Sequence, residues 1–484
     1  MKKLIALLLL AAMVVCLSAC TKAEAEEGKW VDPTAGTGFR VGFGRVDITN
    51  RDPVPMAGYG NTTTRVNTSI GTRLYANCVA VTTADDQTVF FVDVDYQRAS
   101  GSKLKVVEEW IEERLGIPGT NLIVTSTHTH AAADFTVNGV ESIEQTVEIY
   151  REGIFESCVL ALEDRKPAEV YIGSIETERM NFVRHYSYVD ENGETQFFGD
   201  SFGTQTLNET TKHATDADPT MYVIQFKREG AKDIIMASFR AHAHMNTSAD
   251  SKVIDADFPA RIQQALEAKY DCHFGYYQGF AGNINAKSRI SADMRTQDVN
   301  EYGAIMADYI LDCIANNMKK VDTCDLLLRQ DTLDLEANHT TDDLLLMAKN
   351  VQAIWKSTGD KTAAVAAGKE YGIRSVYHAG AIVSRASTGP TVPVEVTTIS
   401  FSPQFAIATC VGEPFDTLGE YVEERSPYET TITFGYTNGE AGYMPSAYGW
   451  EYTCYESDTT KYCPGSGEEV MDHIIEMLKD IHSR

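Results

Sequence analysis

The sequence predicts an α/β fold in which mixed β-sheets are flanked by helices, built as one large domain over residues 38–484. Short apolar strands alternate with amphipathic helices along these residues, a pattern typical of sheets covered by helices. Hydrophobic residues make up 43% of the chain and charged residues 23%, which is ordinary globular usage and excludes a disordered chain. Neither a Pro- or Ser-rich linker nor an internal repeat interrupts the pattern, so we expect a single domain.

The chain starts with a predicted export signal. Two lysines precede an apolar run over residues 4–19, and the run ends in Leu-Ser-Ala followed by Cys20. A basic start, a short apolar run and small residues before the cleavage point predict a signal peptide over 1–20, and its last four residues resemble the lipidation box of bacterial lipoproteins. We expect a lipid on Cys20, a polar tether over 21–37, and an exported protein anchored to the cell membrane. A transmembrane anchor is disfavoured because spanning needs about 20 apolar residues.

The strands are predicted from short apolar runs bounded by polar or turn residues. Residues 88–95 read Thr-Val-Phe-Phe-Val-Asp-Val-Asp, in which the β-branched and aromatic residues favoured in strands predominate. Similar runs predict strands over 121–126, over 220–241 on both sides of a turn at 228–230, and over 393–412.

The helices are predicted where apolar residues recur at intervals of three and four. Residues 103–115 have this period and stop at Gly116, a residue type that commonly ends helices. The same reasoning predicts helices over 142–163, 258–269, 299–318, 340–370 with a Ser-Thr-Gly-Asp break, and 467–481.

Charge and missing motifs exclude several classes of function. The chain has 42 Lys and Arg against 69 Asp and Glu, a net charge of −27, so it repels phosphate backbones and nucleic acid is not an expected partner. The sequence contains no HExxH, no P-loop and no GxGxxG after a strand. A Gly-x-Ser-x-Gly match at 199–203 is followed by polar residues instead of a helix, so it does not predict a serine-hydrolase elbow.

Eight cysteines remain beyond the signal and the lipidation site, and none form CxxC pairs, so a structural zinc cluster is not expected. An exported chain can form disulfides. Cys454 and Cys463, in a polar and Tyr-rich loop, are the best candidates for a bridge. Cys78 and Cys410 lie in apolar runs and are interpreted as buried thiols.

Two pairs of histidines follow apolar strands. His128 and His130 come directly after the strand at 121–126, and in an extended chain residues two apart face the same side. His242 and His244 follow a second strand in the same way. The ends of strands are where α/β folds place their sites, and imidazole is a common zinc ligand. Together the two pairs predict a metal site, although either pair alone would also suit a solvated loop.

A third strand ends in Gly-Glu-Pro-Phe, which places Glu413 on a sharp turn. A carboxylate there can project from the strand end as a ligand or a base. Glu413 taken alone would be interpreted as a solvated turn residue.

Further short motifs follow one another in a fixed order along the chain. They are Gly42-Phe43-Gly44-Arg45-Val46-Asp47-Ile48-Thr49, Met56-Ala57-Gly58-Tyr59-Gly60, Arg73-Leu74-Tyr75-Ala76, Ser126-Thr127-His128-Thr129-His130, Asn181-Phe182-Val183-Arg184, Phe239-Arg240-Ala241-His242, Asp255-Ala256-Asp257-Phe258-Pro259, Gly279-Phe280-Ala281-Gly282-Asn283-Ile284-Asn285, Gly412-Glu413-Pro414-Phe415, Gly442-Tyr443 and Tyr455-Glu456. In this order they resemble the neutral, non-lysosomal ceramidases, in their N-terminal catalytic domain, over residues 38–484.

The resemblance implies a zinc-dependent hydrolase of linear N-acyl amide bonds that acts through a metal-activated water. The zinc ligands it implies are His128, His242, Glu413 and Tyr443. It implies three catalytic residues as well, namely His130 as the proton shuttle, Tyr455 as a donor to the developing oxyanion and Arg184 at the polar end of the site. A lipid or small-molecule amide is the implied substrate.

The sequence departs from the ceramidase pattern in ways that bear on the substrate. Residues 131–134 read Ala-Ala-Ala-Asp where ceramidases have a glycine-rich loop, and Asn285 stands where they have a serine. Asn285 cannot act as a nucleophile but can hydrogen-bond substrate through its amide. The resemblance also ends without the immunoglobulin-like domain that follows the catalytic domain in that family.

Two other functions compete with the hydrolase. One is a catalytically silent surface lipoprotein that binds a lipid or a glycan in the same cleft, and the changed loop favours it. The other is a structural metal with four protein ligands, since catalytic zinc usually keeps an open position. His130 discriminates between these functions, because a shuttle can be removed without losing the metal and a ligand cannot.

Overall fold

The computed structural model describes residues 32, 34–59, 64–137, 139–199, 207–452 and 454–484. The predicted signal peptide with Cys20, most of the predicted tether, and most of the Gly-x-Ser-x-Gly segment lie outside the described residues. Two β-sheets pack face to face and helices cover their outer faces. The predicted α/β class, with mixed sheets flanked by helices, is confirmed.

Nine of the described strands form the larger sheet, whose order is β14-β12-β11-β6-β1-β3-β4-β5 with β16 beside β6. The bounds are β1 Arg40–Asp47, β3 Tyr75–Thr82, β4 Thr88–Val94, β5 Leu122–Ser126, β6 Lys166–Glu176, β11 Thr220–Arg228, β12 Asp233–Phe239, β14 Cys272–Gln278 and β16 Lys319–Val321. The sheet curls so that its two ends meet, and the Tyr277 hydroxyl of β14 donates to the Phe91 carbonyl of β4 over 3.0 Å. Because of this curl, the ends of β5 and β12 come close together.

The smaller sheet has four strands in the order β17-β18-β19-β21. Its bounds are β17 Leu327–Glu336, β18 Thr391–Ser400, β19 Phe405–Cys410 and β21 Thr430–Phe434. Shorter pairs complete the strands, namely β2 Ser69–Ile70 with β13 Val253–Ile254, β7 Phe182–Val183 with β15 Ile284–Asn285, β20 Glu413–Pro414 with β22 Tyr443–Met444, and β8 His185–Val189 between β9 Thr195–Gly199 and β10 Lys212–His213. Two of these pairs, β7 with β15 and β20 with β22, carry predicted site residues or lie next to them.

The α-helices lie outside the sheets. Their bounds are α1 Gly101–Trp110, α2 Glu141–Glu163, α3 Asp257–Lys269, α4 Val299–Asn316, α5 Asp342–Thr358, α6 Lys361–Gly368, α7 Val376–Arg385, α8 Asp416–Arg425, α9 Ala447–Glu451, α10 Tyr455–Thr459 and α11 Ser466–His482. Helix α2 crosses β1 so closely that a Cβ at Gly42 or Gly44 would overlap the helix backbone, which explains the glycines of the first motif. Every helix of the described residues falls short of the length and apolarity needed to cross a bilayer.

Apolar residues from both sheets form one layer of the core. The larger sheet contributes Phe91 and Ile123, and the smaller sheet contributes Phe405 and Ile407, all fully buried. Alternate residues of a strand face opposite sides of a sheet, so each sheet also has a face covered by helices. The two sheets therefore form a rigid base for the loops at their strand ends.

Helices α5, α6 and α7, over residues 342–385, form a separate helical cap with its own apolar cluster. The helix starts are capped by side chains, since Thr341 accepts from Leu344 N, and Asp360 and Ser375 do the same for α6 and α7. The predicted break in 340–370 is confirmed at Gly359, which ends α5 with a φ of +71°. Helix α7 has no counterpart among the predicted helices.

The predicted strands and the other predicted helices are present with small shifts at their ends. One detail is wrong, because residues 128–130 are not an extended continuation of β5. The strand stops at Ser126 and His128 has a φ of +60°. The two rings nevertheless meet, since this left-handed turn folds the chain back toward the centre.

The expected bridge between Cys454 and Cys463 is also wrong. Both are free thiols, as are the other six cysteines of the described residues. The Cys454 side chain points inward, with its sulfur 3.4 Å from the Gly449 carbonyl oxygen, whereas Cys463 is partly exposed. The Cys454 thiol is thus packed into the interior and makes its contact there.

Candidate metal centre and active site

His128 lies just beyond β5, and its side chain is buried. Its Nδ1 is 2.6 Å from the backbone carbonyl oxygen of Gln97. A carbonyl oxygen only accepts hydrogen bonds, so Nδ1 carries the proton and Nε2 keeps its lone pair. This hydrogen bond to Gln97 fixes the ring in the orientation and tautomer that metal-binding histidines adopt.

His242 repeats this arrangement from the end of β12. It is fully buried, and its Nδ1 donates to the carbonyl oxygen of Ile284 over 3.0 Å. Its Nε2 therefore also presents a lone pair. The rings of His128 and His242 meet edge to face, with centroids 4.6 Å apart, so both lone pairs face one small region.

Glu413 reaches the same region from the turn after β19. Gly412 precedes it with a φ of +81°, and a Cβ there would collide with the Gly442 carbonyl, so only glycine fits this turn. One carboxylate oxygen, Oε2, lies 3.3 Å from His242 Nε2 and 3.6 Å from His128 Nε2. That oxygen is buried and has no hydrogen-bond partner among the described residues. An unpartnered carboxylate oxygen beside two imidazole nitrogens is a donor set that suits a cation.

His130 stands beside this cluster. Its Nε2 is 3.2 Å from His128 Nε2, and its Nδ1 is buried without a hydrogen-bond partner among the described residues. Gly58 packs directly against the ring, because a Cβ there would lie 2.7 Å from the His130 Cβ. The Tyr59 ring contacts the imidazole edge to face at 5.4 Å. His130 is thus held at the centre by packing, with one nitrogen left unbonded.

The separations between these donor atoms fit a metal ion. Metal–nitrogen bonds of about 2.0–2.1 Å at tetrahedral angles place neighbouring ligand atoms about 3.3 Å apart. Glu413 Oε2 lies 3.3 and 3.6 Å from the two Nε2 atoms, and His128, His130 and His242 form a buried group whose ligand atoms lie within 4.8 Å of one another. Imidazole nitrogen with carboxylate oxygen suits zinc among the common divalent ions.

Burial sets the protonation of the three histidines. It lowers the pKa of His128 to about 3 and holds the pKa values of His130 and His242 well below the usual 6.5. All three rings are therefore neutral near pH 7. A neutral imidazole is the form that binds a metal or takes up a proton.

Tyr443 lies beside Glu413 because β20 and β22 pair in parallel with these two residues in register. The Tyr455 ring, at the start of α10, is 5.7 Å from the Tyr443 ring. Burial raises the pKa of Tyr455 to about 12 and the pKa of Tyr443 well above its usual value. Both phenols keep their protons and can donate a hydrogen bond.

Arg184 is buried on the side of the centre formed by His242 and Tyr443. Its terminal NH1 nitrogen is 3.3 Å from His242 Nε2, and its guanidinium carbon is 5.2 Å from the centre of the Tyr443 ring. Its Nε donates to Glu456 Oε1 over 2.6 Å. The cation therefore touches both the cluster and a second buried carboxylate.

Asn285 is buried next to the cluster, and its backbone forms a bridge with His242. Its side-chain oxygen lies 3.0 Å from His244 Nε2. Burial lowers the pKa of His244 to about 4, so the neutral ring donates through this nitrogen. The His244 ring also contacts the His130 ring edge to face at 5.4 Å.

The structure thus places all eight site residues predicted within residues 38–484 around one centre. Sequence reasoning missed Glu456, His185 and the contact of His244 with Asn285. The Tyr455-Glu456 motif was a signal for Glu456, but no pattern marked His185. His185, Cys454 and Glu456 form a second buried group with metal-ligand atoms, yet Arg184 already pairs with this carboxylate, so the first group is the better metal centre.

Comparisons with known proteins relate the chain to the ceramidases. Residues 39–273 match the family model described as neutral/alkaline non-lysosomal ceramidase, N-terminal. No curated protein sequence matches the chain. Among solved structures, neutral ceramidase from Pseudomonas aeruginosa is similar with a TM-score of 0.69 and 16% identity, covering 92% of this chain and 75% of that one. A ceramidase complexed with C2 is similar with a TM-score of 0.70 and 16% identity, covering 92% and 76%. The chain has the fold of the neutral ceramidases.

Proposed function

We propose that the protein is a zinc-dependent hydrolase of linear N-acyl amide bonds, similar in activity to the ceramidases. One observation carries the proposal. The Nε2 lone pairs of His128 and His242 and the orphaned Oε2 of Glu413 converge at the separations of zinc ligands. His128, His242 and Glu413 would hold the ion, with Tyr443 as the fourth ligand.

A zinc ion at this centre would lower the pKa of a bound water to about 7 and polarise an amide carbonyl. The chain supplies the proton transfers. His130 is neutral and has an unbonded Nδ1, so it can accept the proton of an attacking water and return it to the leaving amine. The products are a carboxylic acid and an amine.

Tyr455 and Arg184 would act on the substrate itself. Tyr455 keeps its proton and can donate to the oxyanion of the tetrahedral intermediate. Arg184 borders the cluster at His242 and would orient the polar end of the substrate. Asn285 would contact the substrate only by hydrogen bonding, because a carboxamide is not a nucleophile.

The proposed substrate is a lipid amide, since the similar structures are ceramidases. A lipid on Cys20 would keep the exported protein at the membrane surface, where such amides are found. The buried alanines 131–133 replace the glycine-rich loop, so the acyl chain or the amine need not be those of ceramide.

The test is hydrolysis by the zinc-loaded full chain of short-chain ceramides and other N-acyl amides, with acid and amine products measured by mass spectrometry. We expect turnover that His130→Ala lowers by about 10²- to 10⁴-fold, the usual contribution of general acid–base catalysis, without loss of zinc. His339→Ala, at an exposed histidine, is the matched control and should be as active as the original. Zinc binding without hydrolysis of any amide would contradict the proposal and favour the binding lipoprotein, and zinc loss in His130→Ala would make that residue a ligand.

A further inference from the structure

A short helix, α10, carries a buried carboxylate next to the candidate site. Glu456 is 1% exposed and follows Tyr455 directly. Its Oε1 accepts from Arg184 Nε over 2.6 Å, and the same oxygen is in contact with a terminal nitrogen of that guanidinium. The hydrogen bond from Nε and the ion pair at the terminal nitrogen together orient the planar cation.

The other carboxylate oxygen is held equally firmly. Oε2 lies 2.8 Å from His185 Nε2, and His185 Nδ1 lies 2.8 Å from the Tyr448 hydroxyl. That hydroxyl accepts from Asn283 Nδ2 over 3.0 Å. Glu456 is therefore bonded directly to the neighbouring residues Arg184 and His185, and through His185 it is connected to Tyr448 and Asn283.

Both members of the Arg184–Glu456 ion pair are buried, and this determines the effect of removing the carboxylate. Arg184 is 5% exposed and Glu456 is 1% exposed. Burial raises the pKa of Glu456, but Arg184 and His185 outweigh this effect and hold it well below its usual range. Removing one charge would leave the other buried and unpaired, which is strongly unfavourable, so we expect the remaining group to shift.

Arg184 also faces the cluster. Its NH1 nitrogen is 3.3 Å from His242 Nε2, and its guanidinium lies over the Tyr443 ring. We propose that Glu456 is a positioning residue that acts through Arg184, holding the guanidinium against His242 and Tyr443 at the polar end of the substrate site. The inference rests on the proposed amide hydrolysis for its kinetic part, but the ion pair itself can be tested without turnover.

The kinetic test compares Glu456→Gln, Arg184→Ala and the double variant. Glu456→Gln keeps the size of the side chain and removes its charge. We expect it to lower kcat by about 10- to 100-fold with a smaller change in KM, as for a misplaced catalytic group. The double variant should be no slower than Arg184→Ala alone, because residues that act through one another are not additive.

A second test replaces the missing side chain with free guanidinium at millimolar concentration. Titration calorimetry should detect guanidinium binding to Arg184→Ala, and the added ion should restore part of its turnover. Neither effect should occur once Glu456→Gln is introduced as well. A carboxylate with a merely structural role would not make binding of the cation depend on its charge.

Controls separate this role from general destabilisation. Glu267→Gln removes a half-buried partner of Arg45, paired at 2.7 Å, and should leave kcat unchanged. Glu456→Asp keeps the charge but shortens the side chain. It replaces Glu456→Gln in the kinetic test if the Gln variant does not fold. Additive kinetic effects, or guanidinium binding that survives Glu456→Gln, would overturn the inference. Guanidinium binding that depends on Glu456, in a protein that cleaves no amide, would sustain the ion pair and refute the proposed reaction instead.

Discussion

Two backbone carbonyls determine which nitrogen of each central histidine faces the candidate metal site. Gln97 and Ile284 each accept from an Nδ1, of His128 and His242 respectively, and so leave both Nε2 lone pairs toward Glu413. The sequence predicted the two histidines and the carboxylate, because they follow apolar strands. It could not predict the carbonyl partners, since Gln97 and Ile284 are far from their histidines along the chain and accept through backbone atoms that any residue type has.

Gly58 gives a prediction at the same scale. A Cβ at this position would lie 2.7 Å from the His130 Cβ, and the backbone has a φ of +115°. Gly58→Ala should therefore displace His130 and lower kcat by about 10- to 100-fold, as expected when a catalytic group is misplaced, while zinc content is unchanged. Steady-state kinetics with metal analysis checks both effects.

Gly230→Ala is the matched control for Gly58→Ala. It also has a positive φ, of +69°, but no atom within 4 Å of an added Cβ. This variant should carry only the backbone strain, so its kcat should equal that of the unmodified protein. Full activity of Gly58→Ala would show that His130 does not depend on this contact.

At the scale of elements, α10 joins the centre to the helical cap. The buried Asp458, three residues after Tyr455, pairs with Arg374 of the cap. The backbone carbonyls of Asp458 and Thr460 accept hydrogen bonds from Arg385. The period of apolar residues predicted α5 and α6. It could not predict α7, a ten-residue helix with one basic and several small residues, or the attachment of the cap at Asp458.

His378 makes this attachment sensitive to acid. Burial, together with the nearby Arg374 and Arg385, lowers the pKa of His378 from 6.5 to about 4. Between pH 4 and pH 6.5, His378 binds a proton in the unfolded chain but not in the folded cap. The free energy of unfolding therefore falls as the pH falls from 6.5 to 4. Above pH 6.5 the residue has no such effect.

His378→Gln should reduce this acid sensitivity. The fall in Tm from pH 7 to pH 5 should become smaller by about 2 °C or more. This is the shift that accompanies a change of about 1 kcal/mol in the free energy of unfolding of a large domain. Hydrogen exchange should assign the effect to residues 342–385. The exposed His339→Gln serves as the control, and an equal pH dependence in both variants would show that His378 is not the acid-sensitive group.

At the scale of the whole molecule, the two sheets share one buried layer and should unfold together. Ile407 of β19 is fully buried in this layer. Ile407→Ala should lower the free energy of unfolding by about 2–5 kcal/mol, the usual cost of such a cavity, in a single denaturant transition. Leu346→Ala, at a residue 70% exposed, should change it by less than about 0.5 kcal/mol. Two separate transitions would mean that the sheets are independent units.

The architecture as a whole was accessible from the sequence, because alternating apolar strands and amphipathic helices leave few other arrangements. The curl of the larger sheet could not be predicted from the sequence, since the contact between Tyr277 and Phe91 joins strands distant in sequence. That curl is what brings His128 and His242 together. Tyr443 was identified only through the resemblance, because its place beside Glu413 depends on the two-residue pairing of β20 and β22.

The most direct test of the metal centre is the zinc content per chain, measured by elemental analysis on the full chain and on Glu413→Ala. We predict about one zinc per chain, taken up on reconstitution and lost in Glu413→Ala, because each ligand contributes to the affinity. Glu429→Ala, at an exposed residue paired with Lys319, should keep its zinc. A protein that takes up no zinc, or a Glu413→Ala variant that retains all of it, would contradict the account.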